Sequence, residues 1–289
     1  LHLCDRRQRQ MCIRDRIYPN AKINIGLSVT ERRTDGYHNL ETVFYPVGLR
    51  DVLELNREEG PKRVCYFENT GIAIDCPEDK NLVVRAYKLL ASAYDLPAVR
   101  INLFKTIPFG AGLGGGSSDA AYTLKALNEY FELRISEKGL ENYASRLGSD
   151  CAFFIRNRPA FASGKGDVLE DMALELDEYE IVIVKPDCKV STAEAYAGIS
   201  PAKAVFNLRE LNLLPLTAWR KQVKNDFETT VFAKYPAIRK VKEELYNRGA
   251  LYASMTGSGA GVFGIFPKGD VVLDTLQGNI IWRTDRSVK

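Results

Sequence analysis

Histidine is almost missing from this chain: of 289 residues only His2 and His38 carry an imidazole. One histidine in the main body leaves little material for a Ser-His-Asp hydrolase or a histidine-rich metal centre. The cysteines include no C-x-x-C pair. Cys65, Cys76, Cys151 and Cys188 lie far apart, as expected of reduced thiols in a cytoplasmic protein. No apolar run approaches the roughly 20 residues that cross a bilayer. Net charge is lacking too, once the N-terminal segment is set aside. Leu1 to Arg16 has no apolar period and is crowded with Arg, Gln and Cys. It reads as foreign or disordered, because a targeting peptide would need an apolar centre and would not carry Asp5 and Asp15. The segment holds five Arg and two Asp, so the chain's 40 basic and 37 acidic residues become 35 and 35 without it. A neutral body offers no electrostatic footprint for nucleic acid or a membrane surface.

Glycine, by contrast, is concentrated in one place. Pro108-Phe-Gly-Ala-Gly-Leu-Gly-Gly-Gly-Ser-Ser-Asp-Ala-Ala121 sets glycines at 110, 112, 114, 115 and 116 directly before a run in which Ala120, Ala121, Leu124, Leu127 and Phe131 recur at helical spacing. A loop without side chains lets backbone N–H groups converge on an oxygen-rich ligand, and the following helix adds its unpaired amides and positive dipole end. Ser117 is the expected cap of that helix. Gly110-Ala-Gly112-Leu-Gly-Gly115 also spells G-x-G-x-x-G, but no acid follows at the end of a second strand as a dinucleotide fold requires. It is not a Walker loop, since no Lys-Ser or Lys-Thr follows the glycines, and Gly164-Lys-Gly166 lacks the spacing.

Upstream, Ala21 to Val29 alternates strictly, so Lys22 and Asn24 project together from a strand. Asp35-Gly36 reads as a hairpin turn to strands near Glu41 to Leu49 and Val52 to Leu55. A helix is expected over 81–94, a strand over 99–105 that delivers the glycine loop, a helix from Ser136 to Leu147 stopped by Gly148, and a short strand from Ala152 to Ile155. The acidic stretch 170–180 is the expected boundary between two domains, 17–176 and 177–289. Beyond it come a strand at Ile181 to Val184, a helix opened by Pro236, and strands at Leu251 to Met255 and Val262 to Phe266 flanking a second glycine turn, Thr256-Gly-Ser-Gly-Ala-Gly261. Strands and helices without regular βαβ repetition predict an α+β fold with a mixed sheet.

Pro19-Asn-Ala-Lys-Ile-Asn24, the glycine loop, Leu147-Gly-Ser-Asp-Cys151 and the second glycine turn, in this order, resemble the motifs of the GHMP small-molecule kinases. Asp35-Gly-Tyr-His-Asn39 and Asn225-Asp-Phe-Glu228 narrow the resemblance to the branch acting on a cytidine-diphosphate-linked methylerythritol in the non-mevalonate isoprenoid pathway. The resemblance implies two domains, one like a ribosomal-protein fold and one ferredoxin-like, with the active site in the cleft between them. It implies ATP, arriving with Mg²⁺, as phosphoryl donor. Lys22 and Asp150 would be catalytic, Asp150 as base and Lys22 beside the acceptor hydroxyl. Pro108, Gly110, Gly112, Gly114, Gly115, Gly116, Ser117 and Ser118 would hold the triphosphate, with Ser117 or Ser118 offering a hydroxyl to the metal. Asn81 and Lys105 match adenine-side and phosphate-side contacts. Asn24, Tyr37, His38, Thr192, Tyr196, Gly257, Ser258 and Gly259 would meet the acceptor, its base between aromatic rings.

The residues fit that chemistry independently: phosphoryl transfer needs a cradle, charge neutralisation and a proton acceptor. Homoserine or mevalonate as acceptor, a catalytically silent nucleotide sensor and a nucleic-acid module are the competing readings. Tyr37-His38 argues against the first, retention of both Lys22 and Asp150 against the second, and zero net charge against the third. The expected partner is a small molecule, with the protein a monomer or homodimer.

Overall fold

A computed structural model describes residues 15–74, 76–269 and 279–284. The proposed foreign segment lies outside the described residues as far as residue 14. Asp15–Ile17 forms strand β1, which pairs antiparallel with Leu53–Leu55, so the expected edge at residue 16 falls inside a strand.

The strands then run β2 (Asn20–Arg32), β3 (His38–Arg50), β4 (Val52–Arg57), β5 (Cys65–Gly71) and β6 (Val99–Lys105), with helix α1 (Leu82–Tyr94) before β6. Helices α2 (Gly115–Tyr130), α3 (Glu137–Ser145) and α4 (Cys151–Arg156) follow, then β7 (Ala160–Ser163), β8 (Val168–Asp171) and β9 (Tyr179–Lys185). Helices α5 (Thr192–Ala197), α6 (Leu216–Gln222), α7 (Phe227–Lys234) and α8 (Pro236–Asn247) precede β10 (Tyr252–Met255), β11 (Val262–Pro267) and β12 (Asn279–Arg283). Three four-stranded sheets result, in the orders β1-β4-β6-β5, β2-β3-β7-β8 and β10-β11-β9-β12. Pairing is antiparallel except for β5 with β6, so the first sheet is mixed as the α+β reading expects.

Strand β2 positions the site, and its first eight residues are buried. Ala21, Ile23 and Ile25 enter a core with Ile183, Phe263 and Ile265 of the third sheet, whereas Leu27 and Val29 enter the next, with Val182, Phe227 and Met255. The change occurs at Gly26, where the register with β3 shifts and φ is +68°, so the alternation is not strict. A methyl at Gly26 would meet Leu208 at 2.7 Å. The shared cores make the halves of the chain one packed unit around the strand that carries Lys22. The acidic stretch 170–180 belongs to that packing, with Leu174 and Leu176 buried.

The strand expected over 152–155 is instead the helix α4. Cys151 to Ile155 are all buried, and a short run apolar at every position carries neither period. Asn157 ends the helix in the left-handed region at φ +52°. That helix places Asp150 at the N-cap position, where its side chain makes no capping hydrogen bond and stays available for chemistry.

Candidate active site

The glycine loop is a nest. Gly110, Gly112 and Gly114 have φ of +64°, +70° and +70°, alternating with residues of ordinary φ, a pattern that turns successive N–H groups toward one centre. A Cβ at Gly110 would meet nothing within 4 Å, so that side of the loop faces open space. Helix α2 starts at Gly115 with Gly114 as its cap, three residues earlier than a Ser117 cap would place it. Glycine there accepts the left-handed turn without strain, and Ser117, within the first turn, is left to line the cleft. Ser118 is buried with its hydroxyl unpartnered and is not part of that wall.

Two charged side chains meet at the mouth of the nest. Lys22 Nζ lies 3.4 Å from Asp150 Oδ2 and donates to Asn24 Oδ1 at 2.5 Å. The lysine side chain is 4% exposed and the aspartate 28%, so the pair is dry on one side and open to a ligand on the other. Burial lowers the Lys22 pKa, and the Asp150 charge opposes that shift. Asn24 Nδ2 donates onward to Thr42 Oγ1 at 3.1 Å, and Thr42 to the Gly26 carbonyl at 2.5 Å, which fixes the asparagine. An oriented amide and a buried ammonium can steady developing negative charge next to a carboxylate that takes a proton.

The second glycine turn docks backbone to backbone on the first loop. Thr256 Oγ1 accepts from Asn24 N at 3.0 Å and donates to the Gly112 carbonyl at 3.0 Å, and Ala260 N donates to the Gly110 carbonyl at 2.9 Å. Lys22 N donates to the Leu113 carbonyl at 3.0 Å. One threonine thus ties the lysine strand, the nest and the second turn together. Gly257, Ser258 and Gly259 line the same cleft, and Ser258 Oγ lies 3.4 Å from Thr192 Oγ1.

At the other end His38 stacks on Tyr196, ring centroids 4.7 Å apart at 21°. Burial and the Asp150 charge raise the Tyr196 hydroxyl pKa. Tyr37 is 61% exposed, with the Lys165 ammonium 5.1 Å over its ring. Two distant segments therefore meet: His38 at the start of β3, next to Tyr37 of the β2–β3 turn, stacks on Tyr196 of α5, the helix that also carries Thr192.

Two expected contacts already have partners within the protein. Asn81 caps α1, its side chain accepting from Val83 N at 2.9 Å, and the cleft wall there is Leu82. Lys105 lines the cleft beside Gly115, with its side chain 0% exposed and held by Asp51 and, at 2.9 Å, by Asp119. Asp51 also accepts from Thr106 N at 2.5 Å and Ile107 N at 2.8 Å, so this triad braces the strand end that feeds the loop. Burial pushes Asp119 up to about 8, although Lys105 pulls it down.

An acid whose folded pKa lies above its unfolded value near 4 holds a proton that the unfolded chain has lost. Its contribution is complete below about pH 4 and disappears as pH rises toward 8. Asp119→Asn should therefore lose less melting temperature than the parent between about pH 5 and about pH 9. Calorimetric melts across that range test this, and equal slopes would show Asp119 ionised in the fold.

A separate cavity of 690 Å³ has Arg16, Arg50 and Glu129 in its lining, which form no ion pair with one another among the described residues; the cleft of 530 Å³ contains the nest, Lys22, Asp150 and Tyr196. Chemistry, not volume, marks the site.

Residues 81–158 match the model of the GHMP kinases N terminal domain and 209–276 that of the GHMP kinases C terminal domain. The chain is 50% identical over 251 residues to the 4-diphosphocytidyl-2-C-methyl-D-erythritol kinase of Parabacteroides distasonis, covering 87% of this chain and 91% of the relative. It is 51% identical over 253 residues to the enzyme of that name from Bacteroides thetaiotaomicron, covering 87% and 92%. A solved 4-(cytidine 5'-diphospho)-2C-methyl-D-erythritol kinase superposes with a TM-score of 0.74 at 32% identity, covering 86% of this chain and 89% of that one. The chain belongs to the 4-diphosphocytidyl-2-C-methyl-D-erythritol kinases, a branch of the GHMP kinase family. Homoserine kinase from Cytophaga hutchinsonii, with a TM-score of 0.65 at 19% identity, shares the fold.

Several contributors to this GHMP kinase site escape a reading by motif. Lys165 and Gly166, in the β7–β8 turn, line the cleft beside Asp150, but their strands are four residues each and give little periodicity. Thr42 and Thr256 act through hydroxyl geometry that only the fold creates. Asp51 lies 54 residues from Lys105 in sequence and meets it only because β4 and β6 are neighbours. Among the described residues no helix of this kinase is long and apolar enough to cross a membrane.

Proposed function

We propose that the cleft transfers the γ-phosphoryl group of ATP to the 2-hydroxyl of 4-diphosphocytidyl-2-C-methyl-D-erythritol by direct in-line displacement. The observation that carries this reading is the pair Lys22 and Asp150, 3.4 Å apart at the open side of a backbone nest, with the His38–Tyr196 stack in the same cleft. The nest amides of 110–116 and the α2 N-terminus hold the triphosphate. The acceptor hydroxyl loses its proton to the Asp150 carboxylate as its oxygen bonds to the γ-phosphorus and the bond to the ADP oxygen breaks. Lys22 stabilises the attacking oxygen and the equatorial phosphoryl oxygens, and Asn24 fixes the direction of its ammonium. No covalent enzyme intermediate forms.

Mg²⁺ suits this cleft as a partner of the nucleotide rather than of a protein cage. Among the described residues no group of three metal-ligating side chains is assembled, while Ser117 offers a hydroxyl oxygen at the nest. Ser117 would hold the ion beside the nucleotide, where it neutralises phosphate charge when bound, and Asp150 is kept for the proton.

A coupled ADP-release assay with the cytidyl substrate, homoserine and mevalonate tests the acceptor. Turnover confined to the cytidyl compound supports the proposal; turnover with another alcohol moves the chain's activity elsewhere, and none at all points to a nucleotide sensor. Tyr37→Ala should raise the KM for the cytidyl substrate by about tenfold, the scale of one lost base stack, and leave the KM for ATP unchanged. Equal rises in both constants would remove Tyr37 from the acceptor site.

A further inference from the structure

Asn225-Asp-Phe-Glu228 takes no part in the chemistry above, yet its side chains reach several parts of the site. Backbone pairing joins it to β2: Leu27 N donates to the Lys224 carbonyl at 2.8 Å and Asp226 N to the Leu27 carbonyl at 2.8 Å. The Asp226 carboxylate accepts from Val29 N at 2.8 Å. Asn225 is buried, and its amide donates to the carbonyls of Met255 at 2.8 Å and Gly257 at 2.9 Å. Glu228 accepts from Met255 N at 2.9 Å and pairs with Lys242 at 2.5 Å. The segment thereby grips the lysine strand and the second glycine turn together.

Phe227 points the other way, into the cleft, with its ring edge against Tyr196, centroids 4.8 Å apart at 79°. It is 2% exposed, and Thr230 on the same helix donates to the Ala195 carbonyl at 3.3 Å, so α7 holds the short helix α5 at two points. A six-residue helix cannot by itself fix the plane of a ring it carries. His38 covers one face of that ring, and Phe227 meets it edge-on. Edge-on contact resists rotation about the Tyr196 side-chain bonds, which is what a stacking surface needs before its ligand arrives.

We propose that Phe227 is a specificity-determining positioning residue: it sets the tilt of Tyr196, and through it the affinity for a pyrimidine nucleoside diphosphate, while Asn225 and Asp226 register that platform against the phosphoryl-transfer centre. The proposal rests on the cytidyl acceptor reading. It separates two jobs within one motif, Asn225 and Asp226 acting on backbone at the chemical end and Phe227 acting on a ring at the recognition end.

Calorimetric titration of CDP into the parent, Phe227→Leu, Tyr196→Leu and the double variant tests it, with KM for ATP measured in parallel. Phe227→Leu should weaken CDP about three- to tenfold, the range of one edge-on aromatic pair, without moving the KM for ATP. In the Tyr196→Leu background the same substitution should change CDP affinity by less than about twofold, because the ring it positions is gone. Additive losses would overturn the proposal, since Phe227 would then act independently of Tyr196. Should Phe227→Leu fail to fold, Phe227→Met keeps most of the volume and runs the same cycle. A parent protein that binds ATP but not CDP would sink the cytidyl reading itself, and this proposal with it.

Discussion

Asp150→Asn should lower kcat by a factor of about 10² to 10⁴ while the KM for ATP stays within about twofold. The substitution keeps the shape of the side chain and removes the only property the mechanism uses, the capacity to accept a proton. Its position makes the experiment clean. Asp150 sits at the N-cap position of α4 without capping it, so an amide disturbs no structural hydrogen bond of the helix. Its contact with Lys22, at 3.4 Å, is a charge interaction whose loss leaves the ammonium buried against Asn24. Loss of the counter-charge to a buried ammonium should also lower the melting temperature, so the unchanged KM for ATP is what separates a lost base from a lost fold. Coupled ADP-release kinetics with both substrates varied checks the split, and normal turnover would take Asp150 out of the mechanism.

Gly112→Ala should be the most damaging change in the loop, costing about 3 kcal/mol or more of stability and nucleotide binding with it. A Cβ there would lie 1.9 Å from the Thr256 carbonyl oxygen and 2.7 Å from its carbon, both backbone atoms that no rotamer change can move. The φ of +70° adds the strain of an L side chain in the left-handed region. Relief requires the loop and the second glycine turn to part, which breaks the bonds of Thr256 Oγ1 to the Gly112 carbonyl and of Ala260 N to the Gly110 carbonyl. Gly110→Ala is the control. It shares the positive φ but would meet nothing within 4 Å, so it should cost only about 1 kcal/mol of stability while its methyl intrudes on the phosphate path and raises the KM for ATP. Denaturant melts and ATP titration of the two variants separate closure of the loop from its use.

Tyr37→Ala and the Phe227 cycle examine the recognition end, whereas Asp119→Asn examines the brace beneath the loop. Lys105 belongs to that brace, although its type and its place before the glycines suggest a phosphate contact. An ammonium between Asp51 and Asp119 at 0% exposure sits in a buried charge cluster, and two carboxylates from other segments set its partners. Sequence spacing cannot show which charges share a dry pocket.

The sequence by itself determined what depends on neighbours along the chain. The glycine run had to be a backbone-lined loop feeding a helix, and the period-two pattern of Ala21 to Ile25 had to put Lys22 and Asn24 on one face. The helices with clear 3.6-residue periods, such as Gly115–Tyr130 and Pro236–Asn247, were equally legible. Tertiary structure decided whatever needed two distant segments in one place. It made a helix of Cys151–Arg156, where an apolar run buried on every side has no readable period, and so gave Asp150 its direction. It set His38 on Tyr196, 158 positions later in the chain, and let Thr256 close the nest. Local pattern follows from covalent geometry and side-chain period; the pairing of remote groups follows only from which faces bury together, and packing alone chooses those.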